Sequence, residues 1–114
     1  MAKSCHRSVR PIAGMQVNKV VDSTKDGHTV FMKFASQFCG ACQESKAAIS
    51  EALTKTCAEV VEVDADVAMD VADAHKVENM PTVIAFRGGK AVGRLEGAET
   101  PEKYKAFFQK HSGG

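Results

Sequence analysis

Two cysteines separated by two residues, Cys39 and Cys42 in FMKFASQFCGACQESK, are the side chains of this sequence best suited to chemistry. A C-x-x-C pair can supply half of a metal site, form a structural staple, or cycle between dithiol and disulfide. A second oddity lies just upstream, where Lys33 interrupts an apolar run. An unpaired charge in such a run is heavily penalised, so Lys33 needs either a partner or a route to water.

The elements around the pair give it a mechanism. Thr29 to Ala35 is nearly all apolar and reads as a strand buried on both faces. From Gly40 to about Lys55 the spacing predicts a helix, with Ile49 and Leu53 four apart and Ala48 and Ala52 likewise. At a strand-to-helix junction the two cysteines share one face of the first turn, so their sulfurs reach bonding distance. The first sits among unpaired backbone N–H groups at the positive end of the helix dipole, which lowers its pKa. Cys39 is therefore expected to be the attacking thiolate. Cys42, one turn deeper, is expected to resolve the mixed disulfide that Cys39 forms. Zinc would require two further ligands, and Cys5 and His6, adjacent in the chain, make an awkward pair. Cys57 is expected to be a passive residue at a helix end or strand entry and Cys5 an exposed terminal thiol. A regulatory or dimer-forming use of either is the sharper alternative.

The rest of the chain frames that junction. Val9 to Ala13 reads as a short strand, and Met15 to Asp26 as a helix stopped by Gly27. Val60 to Asp64 follows as a strand, then Asp66 to Lys76 as a short helix with Val67, Val71 and Ala74 on one side. Thr82 to Arg87 and Ala91 to Glu96 pair as a hairpin across Gly88-Gly89. Thr100 caps a last helix with Pro101 at its first position and Tyr104, Phe107 and Phe108 on its apolar face. The order βαβαβαββα predicts an α/β fold: a mixed, mostly parallel sheet with helices on both faces, closed by an antiparallel hairpin. Residues 9–114 are expected to form one domain, with 1–8 a short flexible extension.

The totals narrow the function classes. The 114 residues are 44% hydrophobic and 25% charged, and the net charge is +1 with the signs interspersed. That balance argues against nucleic acid or an anionic membrane as partner. No apolar stretch is long enough to span a bilayer as a helix. Four cysteines are too sparse for a stapled secreted domain, so a reducing compartment, the cytoplasm, is expected. Residues 1 to 21 carry Lys3, Arg7, Arg10 and Lys19 and no acid, which leaves an organellar transit sequence as the alternative. His28, His75 and His111 belong to no motif and are expected to be solvated.

With these residues in view, the sequence resembles the thioredoxin family from about Val9 to Lys110. VFMKFASQFCGACQ matches the family's strand and active-site segment, EVDADVAMDVADAHKVENMPT the next strand, helix and proline turn, and GGKAVGRLEGA the hairpin. The resemblance implies a thioredoxin fold and a thioredoxin-type protein-disulfide reductase, monomeric, served by a thioredoxin reductase or equivalent electron donor. Protein disulfides are its implied substrates. It implies no cofactor beyond the redox-active Cys39–Cys42 disulfide, and no metal. It also implies a cis peptide at Pro81, beside the cysteines, presenting the Met80 backbone to a substrate strand. Gly97 falls either in the docking groove or in an ordinary turn. A disulfide oxidase or isomerase, and a non-catalytic binding or chaperone module of the same fold, are the alternatives.

The sequence departs from the family pattern at several places. Phe38 replaces a tryptophan, and Ala41, after Gly40, replaces the proline between the cysteines. Both keep an apolar rim around Cys39, but Ala41 leaves the first turn less pre-set. Ala47 replaces a proline that often kinks the active-site helix, so a straighter helix is expected. At position 33 the family usually places a buried aspartate, which bacterial relatives pair with a lysine on the neighbouring strand. Here that arrangement reads in reverse, Lys33 with Glu62. Such a pair can act through Glu62 as a proton shuttle or through the Lys33 charge, which favours a thiolate at Cys42. The bland alternative has Lys33 snorkelling to the surface and Glu62 exposed.

Overall fold

The computed structural model describes residues 8–112. Cys5, His6 and all but Ser8 of the expected extension lie outside the described residues. Five strands, β1 (Val9–Ile12), β2 (Thr29–Ala35), β3 (Glu59–Asp64), β4 (Thr82–Arg87) and β5 (Lys90–Glu96), alternate with four α-helices. The helices are α1 (Val17–Ser23), α2 (Gly40–Ala52), α3 (Met69–Ala74) and α4 (Pro101–His111). The strands form one sheet in the order β1-β3-β2-β4-β5. β3 runs parallel to both β1 and β2, while β4 is antiparallel to β2 and β5 to β4. The antiparallel part is thus larger than strand–helix alternation implies, because β4 itself enters reversed. No described helix is long and apolar enough to cross a membrane.

Two apolar layers sandwich the sheet, and β2 shows how one strand serves both. Its side chains alternate, so Val30, Met32 and Phe34 join Val17 of α1 and Ala72 of α3 on one face. Phe31 points the other way, into Ile49 and the buried Tyr104 and Phe108 of α2 and α4. Phe31 and Phe108 meet edge to face with centroids 4.8 Å apart. Burial of each such ring contributes about 2–3 kcal/mol. By the same alternation Lys33 belongs to the α2 face, and this puts it under the head of that helix.

Local chemistry sets the element ends. Gly27 closes the first helical segment at φ 101°, a conformation that favours glycine. That segment is α1 flanked by 3-10 turns, where a single helix is expected from the sequence. α3 starts three residues later than its apolar spacing predicts. Asp64 is the reason: its side chain accepts the Asp66 N–H at 2.9 Å and its carbonyl accepts Ala68 N–H, holding the chain in a turn. The side that α3 turns to the sheet is consequently buried at Ala72 and half-buried at Val71, with Ala68 buried at its N-cap; Val67 and Ala74 are exposed. Cys57 stands exposed at the entry to β3 but is disulfide-bonded, which corrects its reading as a passive residue. His75 and His111 are not fully solvated either. The first is half-buried against Phe34 and Phe86, the second against Phe107.

Candidate active site

Cys39 is the N-cap residue of α2, extended at φ −110°, ψ 111°, and its Sγ accepts the Cys42 N–H at 3.1 Å. A sulfur in that capping position gains most when it is negative, since it then satisfies a helix-end donor and faces the dipole. The two cysteines are joined as a disulfide, with Cα atoms 5.2 Å apart. Cys39 is half-exposed, whereas Cys42 is 3% exposed. The pair therefore has an outer and an inner sulfur. Gly40 and Ala41 complete the turn between them, Gly40 exposed and open on its Cβ side.

The loop before Cys39 is braced from β3. Ser36 Oγ donates to Asp66 and accepts the Phe38 N–H at 3.1 Å, Gln37 donates to Asp64, and Ala65 N–H donates to Ala35 C=O at 2.9 Å. Ser36, Asp64 and Asp66 were not singled out from the sequence as site residues. The signal available for Ser36 was its place two residues before Phe38, suited to a serine turn. Phe38 itself is 89% exposed.

Across from the cysteines stands the turn from α3 to β4. The Met80–Pro81 peptide is cis. The Met80 carbonyl oxygen lies 3.5 Å from Cys39 Sγ, placed to accept the thiol proton in the reduced state. Gly97, at φ 83°, donates its N–H to the Pro81 carbonyl at 2.8 Å, and Tyr104 Oη donates to the Gly97 carbonyl. Burial pushes the Tyr104 phenol up, which keeps it a donor. Cys39, Cys42, Phe38, Met80, Pro81 and Gly97 are thus gathered at one end of the sheet.

Lys33 and Glu62 complete the group from below. They are lateral partners in the parallel β2–β3 register, and Lys33 Nζ sits 3.3 Å from Glu62 Oε1. Lys33 is 1% exposed and does not snorkel; the Glu62 side chain keeps 37% of its surface in water. Nζ also donates to the Cys42 carbonyl at 3.3 Å, an oxygen that Ser45 Oγ approaches to 2.9 Å. Burial pushes the Lys33 amine down; the Glu62 carboxylate opposes that, and nearby Lys46 adds to it. A cleft of about 360 Å³ opens beside them, with Lys33, Cys42, Lys46, Glu62 and Asp64 in its walls. Among the described residues no group of three or more His, Cys, Asp or Glu is placed to hold a metal ion.

Comparison with known proteins agrees with this geometry. The thioredoxin family model matches residues 10–110. A thioredoxin H-type from Fagopyrum esculentum is 34% identical over 88 residues, 75% of each chain. Thioredoxin H2-1 from Oryza sativa subsp. japonica is 35% identical over 79 residues, 68% of this chain but only 57% of the rice protein. Among solved structures, a thioredoxin from Nicotiana alata superposes with TM-score 0.81 at 25% identity, over 98% of both chains. A mutant thioredoxin from Halobacterium salinarum reaches 0.82 at 22% identity over 97% and 96% of the two chains, a likeness of fold alone. Cys39 and Cys42 are a dithiol–disulfide couple, and the model match runs from the first strand to the last helix through both that couple and the Met80–Pro81 turn, so the chain belongs to the thioredoxin family.

Proposed function

We propose that this protein is a protein-disulfide reductase working by thiol–disulfide exchange. The Cys39 thiolate attacks one sulfur of a target disulfide. A Cys39–target bond forms, the target S–S bond breaks, and the departing sulfur takes a proton from water. Cys42 then loses its proton to water and attacks Cys39 Sγ, so that the Cys39–Cys42 bond forms and the Cys39–target bond breaks. The released target sulfur takes up a proton, and the target leaves as a dithiol. Two electrons have passed to the target, and a dithiol donor of the reductase class returns them.

The observation that carries this reading is the placement of Cys39 Sγ, half-exposed at the N-cap of α2 and 3.5 Å from the Met80 carbonyl, above a buried Cys42. Phe38 offers an exposed apolar contact beside that sulfur, and the Met80 backbone, in a turn that Gly97 braces through the Pro81 carbonyl, faces it. An extended segment carrying a disulfide fits between them. The protein acts as a monomer in a reducing compartment, the cytoplasm in the first instance. Its curated relatives include plant H-type and mitochondrial thioredoxins, so an organelle is the alternative site.

Two assays test the scheme. With dithiothreitol as donor, the protein is expected to accelerate insulin reduction, followed as precipitation of the freed chain. Cys42→Ser is expected to hold Cys39 on its targets as a stable mixed disulfide. Absence of both acceleration and adduct overturns the reading.

A further inference from the structure

The buried charge under Cys42 has a sign, and that sign bears on which redox state of the couple is favoured. Lys33 is almost wholly buried and its Nζ donates directly to the Cys42 backbone carbonyl. Its counter-ion Glu62, 3.3 Å from Nζ, keeps over a third of its side chain in water. Water screens the exposed member of such a pair far more than the buried one. The uncompensated potential at the head of α2 is therefore positive. The other ionisable groups facing this cleft are Lys46 from α2, also positive, and Asp64 from β3, which is engaged by the Asp66 N–H and Gln37. β1 contributes only Pro11 and Ile12 there, and β4 sets Val83 beside Lys33.

We propose that Lys33 is a positioning residue that stabilises the reduced couple as thiolate, so that this protein is a weaker reductant than the same fold with a neutral residue at position 33. The proposal deepens the disulfide-exchange reading and rests on it. Opening the Cys39–Cys42 disulfide takes two electrons from an incoming dithiol and yields one thiolate and one thiol, the second proton of that dithiol passing to water. A buried cation lowers the free energy of that product and leaves the uncharged disulfide nearly unaffected. Stabilising the reduced form moves the potential of a couple toward the oxidising side. The helix N-terminus acts in the same sense on Cys39, and Lys33 adds to it from beneath.

The same inference separates the two roles open to the Lys33–Glu62 pair. A proton shuttle through Glu62 alters the rate of exchange and leaves its equilibrium alone. A buried cation alters both the thiol titration and the equilibrium. Those two quantities are therefore the ones to measure.

The experiment compares the full chain with Lys33→Met and Lys33→Gln, the second keeping a donor within reach of the Cys42 carbonyl without the charge. Thiolate absorbance is titrated against pH, and the couple is equilibrated with reduced and oxidised glutathione. Both variants are expected to raise the lowest thiol pKa and to shift the glutathione equilibrium toward the disulfide, on the order of tenfold. Oxidised-state circular dichroism confirms that each variant is folded. A Lys33→Gln variant that matches the unsubstituted protein in both readouts overturns the proposal, because the hydrogen bond and not the charge would then be at work. So does a lowest thiol pKa in the unsubstituted protein at or above that of free cysteine, about 8.5, a result that needs no variant. Failure of the disulfide-exchange reading itself looks different: the couple would then not equilibrate with glutathione in any of the three proteins.

Discussion

Phe38 leaves 89% of its surface in water immediately before Cys39, while the backbone N–H beneath it is tied to Ser36. An apolar ring held out on a fixed backbone contributes little to folding and is available to a partner. Phe38→Ser is therefore expected to leave the melting temperature unchanged and to raise KM for insulin several-fold, with kcat affected less. Loss of stability without a change in KM would show that the ring packs and does not dock. Gly97 is the opposite case. Nothing lies within 4 Å of where a Cβ would be added, yet its φ of 83° disfavours any side chain. Gly97→Ala is expected to cost about 1–2 kcal/mol in urea unfolding through backbone strain alone. At this scale the cysteine pair is readable because its spacing is local, whereas the Met-Pro-Thr turn is legible through the family resemblance. Lys33 stands out in the sequence as a charge in an apolar run, and its pairing with Glu62 is implied there only by the family resemblance; the structure bears that pairing out. That it pairs with Glu62 depends on the register of two strands far apart in sequence, which no local pattern displays.

Elements hold these residues by contacts that no single segment announces. Arg94 on β5 donates to the backbone carbonyls of His75 and Lys76 at 3.3 and 3.2 Å, closing the end of α3, where Lys76 turns left-handed at φ 57°. The chain then runs from Lys76 to Met80, so a β5 side chain fixes the approach to the carbonyl facing Cys39. Arg94→Met is expected to cost about 1 kcal/mol and to speed amide exchange at Val77, whose N–H bonds Ala72 C=O at 2.9 Å. Unaltered exchange there would remove the clamp. Sequence spacing sets the bounds of β2 and β4 and the start of α4, because a continuous apolar run and a Thr-Pro cap are strong local signals. It overextended α3 because Val67 fits a helical stripe, while the Asp64 turn that keeps Val67 outside is a side-chain competition that periodicity does not see. The reversal of β4 was hidden for a related reason: an alternating order of strands and helices does not state the direction in which the next strand enters.

For the molecule as a whole, the buried face of the sheet makes stability depend on pH through groups remote from the cysteines. The His75 ring packs 6.0 Å from the centroid of Phe34 and 5.5 Å from that of Phe86, and burial, followed by the Arg94 charge, pushes its pKa below 6.5. His111, against Phe107, is lowered by burial and then by Lys110. In the unfolded chain both imidazoles take up protons as the pH falls through 6.5, while in the folded protein they resist until a lower pH. The unfolded state then binds more protons, so folding stability is full above pH 6.5 and is lost as the pH falls through the folded pKa values. His75→Leu keeps an apolar filler between the two phenylalanines, and Arg94 still finds a carbonyl at position 75 because that contact is to the backbone. The variant is expected to show a shallower loss of urea midpoint as the pH falls below 6.5 than the unsubstituted protein, His111 still contributing to the slope that remains. Parallel curves for the two proteins would mean that the His75 ring takes up its proton as readily folded as unfolded, and the acid sensitivity would then have to be sought in the carboxylates.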